Sequence, residues 1–269
     1  MIDPPDPDTA AALARLYDLD LQDDPGDLDL YLALADRAEG RVLEVAAGSG
    51  RVAVPLATAG HPVTAVDIDP AMLERARERA ATAGVPDGRL ELVEADLLDV
   101  RLPDAGRYAM AFIALNSIML LASRDAQRRA IGALATHLAP GGLAAVDVWL
   151  PDIEDLGRFD GRMILEWIRP AATNDANDGG DATLITKTGS AIHDAATGTI
   201  ALTAVFEEAT QGGEPRRWIR QDRLRLISAD ELVAFAEEAG LRVELVAGGY
   251  DLGPIGPGSE RAVLIAERR

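Results

Sequence analysis

The run Arg41–Ala46 is short and apolar, passes directly into the glycine turn Gly48-Ser-Gly50, and continues as helix to about Ala59. This feature constrains the fold most, because a strand that enters a helix through a tight turn needs a parallel neighbour to receive the returning chain. The sequence supplies such neighbours. Gly60 stops the helix, and Pro62–Asp67 reads as a second strand. Asp69 as N-cap and Pro70 at the first helical position open a helix that runs to Ala83, before Gly84. Leu90–Ala95, Tyr108–Leu115 and Gly142–Trp149 read as further strands, with a helix from about Arg124 to Leu138 closed by Pro140-Gly141-Gly142. This alternation predicts a parallel sheet with helices on both faces.

The pattern changes on either side of that unit. Behind a tail rich in Pro and Asp, Thr9–Leu21 and Leu28–Ala38 carry apolar residues at three- and four-residue spacing, the period of a helix. From Arg162 to Ile227 the chain has strand-like runs separated by the turn clusters Asn174–Asp181, Asp194–Gly198 and Gln211–Pro215. Ile200, Leu202, Ala204 and Phe206 alternate with Thr199, Ala201, Thr203 and Val205, as in an antiparallel sheet with one covered face. Ser228 and Glu231 then form a capping box for a helix ending at Gly240, and Leu241–Ala247 and Arg261–Ala266 are the last strands. The expected organisation is a helical cap (1–40), an α/β domain (41–161 and 228–269) and an inserted antiparallel β subdomain (162–227). The insertion is expected beside the crevice at the strand ends, as a lid or a dimer surface, and a homodimer is left open.

Composition narrows the function classes. Formal charge is −19 and the sequence pI about 4.5, so a polyanion meets net repulsion. Nucleic acid and anionic membranes are therefore not expected as partners. Arg216, Arg217, Arg220, Arg223 and Arg225 form the one basic run, read here as a strand with alternating solvated arginines. The absence of cysteine excludes disulfides, thiolate nucleophiles and zinc ribbons. The start lacks the basic and apolar regions of a signal peptide, and Met110–Ala122, the most apolar stretch, is too short for a membrane span. A cytoplasmic location is expected.

Acids sit where strands end. Glu44 lies inside the first apolar strand, where a carboxylate buried without a partner costs several kcal/mol, by an order-of-magnitude estimate. Asp67 closes the second strand, 19 residues beyond Gly48, at the distance from which a carboxylate accepts both ribose hydroxyl protons. Asp96 closes the third and can accept from an adenine amino group. Gly48 and Gly50 let backbone amides approach a ligand closely. Together these point to a bound nucleotide-like cofactor.

The runs Val42–Arg51, Val63–Leu73, Glu94-Ala-Asp-Leu97 and Leu138-Ala-Pro-Gly-Gly142 resemble the class I S-adenosylmethionine-dependent methyltransferases. The resemblance is strong from about Tyr17 to Trp149 and weaker from Ser228 onward. It implies a doubly wound, seven-stranded, mostly parallel α/β sheet of the Rossmann-like methyltransferase type, with S-adenosylmethionine as cofactor. By that resemblance Glu44 and the Ala46–Gly50 turn (Ala46, Gly48, Gly50) face the methionine end, Asp67 holds the ribose, and Ile68 packs on adenine. Asp96 and the Leu97 amide read the adenine edge, and Asn116 lies beside the methionine portion. Ala46 stands where the family commonly has glycine, expected only to narrow the loop slightly. Tyr17-Asp18 and Asp27–Tyr31 resemble the helical cap of members that act on small molecules, including sugar-amine N-methyltransferases, and Tyr17 is a candidate for closing over the cofactor.

The expected reaction is methyl transfer to a small-molecule nitrogen or oxygen nucleophile. Alternatives are a nicotinamide oxidoreductase, since Gly48-Ser-Gly-Arg-Val-Ala53 also fits G-x-G-x-x-A, or a module that binds the cofactor without turnover. Against the oxidoreductase stand Glu44, Asp96 and the position of the sole lysine, Lys187, in the β-rich insertion. Of His61, His137 and His193, only His193 lies where it could reach a substrate, and a surface role is favoured for it, so no catalytic base is named. Asp147 is isolated in sequence, and no metal is expected. Trp149, Trp167 and Trp218 all lie at or beyond the fifth strand's end, favouring a second small core under the inserted sheet over a substrate wall.

Overall fold

The computed structural model describes residues 6–23, 25–171, 183–210 and 213–269. Two helices open the chain, α1 (Pro7–Asp20) and α2 (Leu28–Ala38). The alternating unit follows as β1 (Val42–Val45), α3 (Ala53–Thr58), β2 (Val63–Asp67), α4 (Pro70–Ala83), β3 (Leu90–Glu94), β4 (Tyr108–Ile113), α5 (Arg124–His137) and β5 (Leu138–Trp149). A 3-10 turn, Ser117–Leu120, separates β4 from α5, and α6 (Ile153–Arg158) follows β5. Then come β6 (Ile164–Pro170), β7 (Thr183–Asp194), β8 (Thr199–Thr210) and β9 (Arg216–Arg225), before α7 (Ala229–Glu238), β10 (Leu241–Ala247) and β11 (Arg261–Arg268). The turn cluster Asn174–Asp181, the start of the one at Gln211 and the first five residues lie outside the described residues.

The seven-stranded sheet has the order β10-β11-β5-β4-β1-β2-β3, and β11 alone runs against the rest. Order reverses at β1, whose neighbours are β2 on one side and β4 on the other. A ligand crevice opens at that point in doubly wound sheets. Alternate residues of β1 enter different cores: Leu43 and Val45 pack with α5 and α7, Val42 with α2 and α3. Capping follows the sequence: the Asp69 side chain accepts from the Ala71 amide, and Ser228 and Glu231 close the capping box of α7.

Pro140-Gly141-Gly142 does not separate α5 from its strand, as expected from the sequence, but lies within β5. Tyr108 pairs with Leu138, yet Met110 pairs with Leu143, so the strand bulges between those registers. Gly141 takes φ +77°, and a Cβ on Gly142 would lie 2.9 Å from the carbonyl oxygens of Ala139 and Tyr108. Glycine permits the bulge where a side chain would collide.

Strands β6, β7, β8 and β9 form a separate antiparallel sheet in that order, with β7 and β8 in register from Thr183↔Thr210 to Asp194↔Thr199. Its covered face holds Ile185, Phe206 and Trp218, which cluster with Leu16 of α1, and Trp167 packs against them. Both tryptophans thus serve a small second core, and α1 is its lid. Salt bridges frame it: Arg15 to Glu208 at 2.8 Å and Lys187 to Asp20 at 2.6 Å. No helix among the described residues is long and apolar enough to cross a membrane.

Leu16 is fully buried in that cluster. Leu16→Ala should therefore cost about 2–5 kcal/mol, the range for a buried leucine truncation. Urea unfolding should show a lower midpoint, with red-shifted tryptophan emission as Trp167 and Trp218 lose their cover. Unchanged emission and midpoint would show that α1 does not close the small core.

Candidate functional site

Three of the five residues after β1 have positive φ: Ala46 (+59°), Gly48 (+55°) and Gly50 (+73°). A Cβ at Gly50 would lie 3.1 Å from Ala76 and Val54, so that glycine is also a close-packing position. Ala46 is the exception, held in the left-handed region despite its Cβ. Its substitution for glycine stores strain, about 1–2 kcal/mol by the usual penalty, and does not merely narrow the loop.

Asp67 holds the turn. Its Oδ2 accepts the Gly48 amide at 2.7 Å and its Oδ1 the Asp69 amide at 2.9 Å. Burial raises its pKa, opposed by those same two amides. Glu44, on β1, is only 3% exposed, and its Oε2 has no hydrogen-bond partner. Desolvation pushes its pKa up to about 8, against the pull of the Arg51 charge and the Ala53 amide. An unpartnered carboxyl oxygen costs free energy when buried, unless a ligand supplies the donor. Ile68, directly after Asp67, is 64% exposed although apolar. Asp96 is exposed and accepts the Leu98 amide at 2.8 Å, with Leu97 half-buried beside it.

Helix α1 reaches this turn. The Asp18 carboxylate accepts from the Ser49 hydroxyl, from Arg75 at 2.7 Å and from Arg79 at 2.8 Å, while Arg79 also donates to the Ser49 carbonyl at 3.0 Å. One residue earlier, the Tyr17 ring lies 3.8 Å from where a Gly48 Cβ would stand. Below the turn, Arg51 makes two 2.6 Å bonds to the fully buried Asp27. Neither Asp18 nor the Arg51–Asp27 pair was identifiable from sequence as a support, because partners 24 to 61 residues apart meet only in the fold.

Beside the turn lies a cavity of about 920 Å³, within the size of small-molecule sites. Tyr17 and Leu13 of α1, Leu115 and Asn116 beyond β4, Phe159, and the covered face of the second sheet line it. Tyr17 and Asn116 therefore stand where the crevice and the cavity meet. Its polar lining includes Asp20, Glu166, Asp222 and Lys187, whose Nζ lies 2.6 Å from Asp20 and 2.7 Å from Glu166. Glu166 lies over Gly189, where any Cβ would overlap its carboxylate at 1.6 Å. A lone glycine in a strand is the sequence signal for such an approach.

The arginine run is only partly solvated. Arg220 lines the cavity, bonds Asp222 at 2.7 Å and lies over the Tyr17 ring, and Arg225 reaches Gln127 and Glu231. His61 pairs with Asp36, His137 Nδ1 contacts the Ala133 carbonyl, and His193 does not line the cavity. Asp147, isolated in sequence, is anything but isolated in space: Tyr31, Tyr250, Arg261 and the Leu115 amide all donate to it. Among the described residues no group of three His, Asp or Glu side chains is arranged to hold a metal ion.

Glu44 makes stability depend on pH. Its pKa is about 8 in the folded protein and near 4.5 ordinarily, so between these values folding takes up a proton. The contribution is whole below pH 4.5 and is lost as pH rises through about 8. Glu44→Gln should flatten the slope of stability across that window, by up to about 1.4 kcal/mol per pH unit, and should be the more stable protein above it. Denaturation at a series of pH values measures both, and parallel curves would refute the shift.

Comparison with known proteins fits this geometry. A family model described as a methyltransferase domain matches residues 42–142. An uncharacterized Mycobacterium bovis protein is 56% identical over 52 residues, 19% of this chain and 19% of its own length. The chain spans less than half the length of the curated relatives it matches. Over the whole fold, an S-adenosylmethionine-dependent methyltransferase from Clostridium acetobutylicum superposes with TM-score 0.74 at 15% identity, covering 96% of this chain and 98% of that one. The sugar N-methyltransferase KedS8 from Streptoalloteichus superposes with TM-score 0.69 at 21% identity, covering 94% and 92%. Residues 42–142 thus match a methyltransferase domain, and the whole chain shares the fold of solved S-adenosylmethionine-dependent methyltransferases.

Proposed function

We propose that the chain transfers a methyl group from S-adenosylmethionine to a small-molecule nitrogen or oxygen nucleophile held in the 920 Å³ cavity. The observation that carries this reading is the meeting of the cofactor crevice with that cavity at Tyr17 and Asn116. The residues present suit the cofactor: Glu44 offers an unpartnered carboxyl oxygen, and Gly48 and Gly50 bring the backbone close. Asp67 stands at the end of β2 for the ribose, and exposed Ile68 offers an apolar face for adenine. Asp96 and the Leu97 amide lie one strand further along for the adenine edge, leaving the Ala46–Gly50 turn, Tyr17 and Asn116 for the methionine end. When bound, S-adenosylmethionine supplies a methyl carbon already activated by its sulfonium.

The protein's part is then placement and exclusion of water. Helix α1 and the second sheet cover the cavity from two sides and form a lid over the acceptor. Asp20 and Glu166 are placed to take up a proton from an amine after transfer, whereas no histidine lines the cavity to serve as base before it. Enclosure together with a charge of −19 favours a small acceptor over nucleic acid. KedS8, a sugar N-methyltransferase of similar fold, is consistent with that class.

S-adenosylmethionine or S-adenosylhomocysteine should raise the melting temperature, and NAD should not. Label from methyl-labelled cofactor should enter a member of an amine and alcohol panel. Label confined to transfer RNA or protein would refute the small-molecule reading, binding of NAD alone would replace it with an oxidoreductase, and binding without transfer to any acceptor would leave a binding module.

Asp67→Ala should weaken cofactor binding by about 1.5–3 kcal/mol, the range for hydrogen bonds to a charged group. The melting temperature should also fall, because the same carboxylate anchors the Gly48 amide. Titration calorimetry showing equal affinity would remove Asp67 from the ribose site.

A further inference from the structure

The cofactor reading leaves one buried polar assembly without a task. Asp147, near the end of β5, is fully buried, and both its oxygens are doubly engaged. Oδ1 accepts from the Tyr31 hydroxyl at 2.6 Å and the Leu115 amide at 2.8 Å. Oδ2 accepts from Arg261 Nη1 at 2.8 Å and the Tyr250 hydroxyl at 3.0 Å. Arg261 Nη1 also donates to Asn116 Oδ1 at 3.2 Å, and its guanidinium lies over the Tyr250 ring. Four elements converge on this carboxylate, from α2, the end of β4, the start of β11 and the β10–β11 loop.

Their common product is a fixed backbone at the end of β4. Leu115 (φ +50°) and Asn116 (φ +64°) are consecutive left-handed residues, and the first carries a branched side chain. Such conformations persist where surrounding contacts fix them, and beyond the turn's own backbone bonds these include the Leu115 amide to Asp147 and the Asn116 side chain to Arg261. A core that needed only packing would place apolar residues at Asp147 and Arg261, since a buried ion pair is weak evidence for stability.

The position of this turn says what it serves. β1 lies between β2 and β4, so a cofactor with its ribose at Asp67 would have its other half within reach of the end of β4. We propose that Asp147 and Arg261 are positioning residues that hold the Leu115–Asn116 turn against the amino-acid end of the cofactor. The proposal rests on the S-adenosylmethionine reading of the crevice.

The test compares two ligands. S-adenosylhomocysteine carries the amino-acid end, whereas 5′-methylthioadenosine carries the nucleoside and thioether without it. For Arg261→Met, the Kd of S-adenosylhomocysteine should rise about tenfold while that of 5′-methylthioadenosine stays within about twofold of wild type. Asn116→Ala, at the cavity edge and outside the buried core, should show the same selective loss and serves if the first variant folds poorly. The double variant should be no weaker than the weaker single one, because both remove one linked contact. Equal weakening of both ligands, or unchanged S-adenosylhomocysteine binding in both variants, would overturn the proposal. A wild-type protein that binds neither ligand would instead overturn the cofactor reading on which it stands.

Discussion

The chain leaves β1 through a left-handed turn, and much of the architecture around the site exists to hold it. Of the three positive φ values within five residues, the one at Ala46 is unfavourable in isolation, and the turn as a whole must be held in place. It is fixed from two directions: Asp67 accepts the Gly48 amide, and Asp18 and Arg79 grip Ser49. The first clamp comes from the neighbouring strand and the second from helices α1 and α4. Because the clamp on Ser49 is on α1, and the opposite side of α1 buries Leu16 under the second sheet, geometry at the turn is mechanically tied to the roof of the cavity.

Electrostatics organises the same region differently. The chain is strongly acidic, yet its arginines near the site are bound into specific pairs. Arg51 meets Asp27, Arg75 and Arg79 meet Asp18, and Arg261 meets Asp147. Glu44 is left as a buried carboxyl group without a partner for one oxygen. Glu44 thus sits unsatisfied among neighbours that are already paired.

Local signals made the fold legible, and the supports of the site were written in longer-range terms. Strand periodicity, the Asp69-Pro70 helix start and the Ser228–Glu231 capping box each depend on neighbours within a few residues, and each reappears in the structure. Glycines were harder. Pro140-Gly141-Gly142 signals a break in regular structure, but whether the break ends a helix or bulges a strand depends on how closely Tyr108 approaches. Glu44, Asp67 and Asp96 could be assigned to consecutive strands from sequence, and β1, β2 and β3 do lie side by side. The partners of Asp147 could not be read this way, because three of its donors come from residues 103 to 116 positions away. Ala46 was visible as a departure from glycine, but its cost lies in a dihedral angle that spacing does not reveal.

Lys187 is the sole lysine of the sequence, and its amine sits between Asp20 of α1 and Glu166 of β6 on the wall of the cavity. Its side chain is only 13% exposed, shielded by the very contact that joins α1 to the second sheet. An amine-selective acylating reagent therefore has one side-chain target in this sequence. The rate at which Lys187 is labelled follows the opening of its contacts with Asp20 and Glu166 at the cavity wall, readable by mass without any engineered probe.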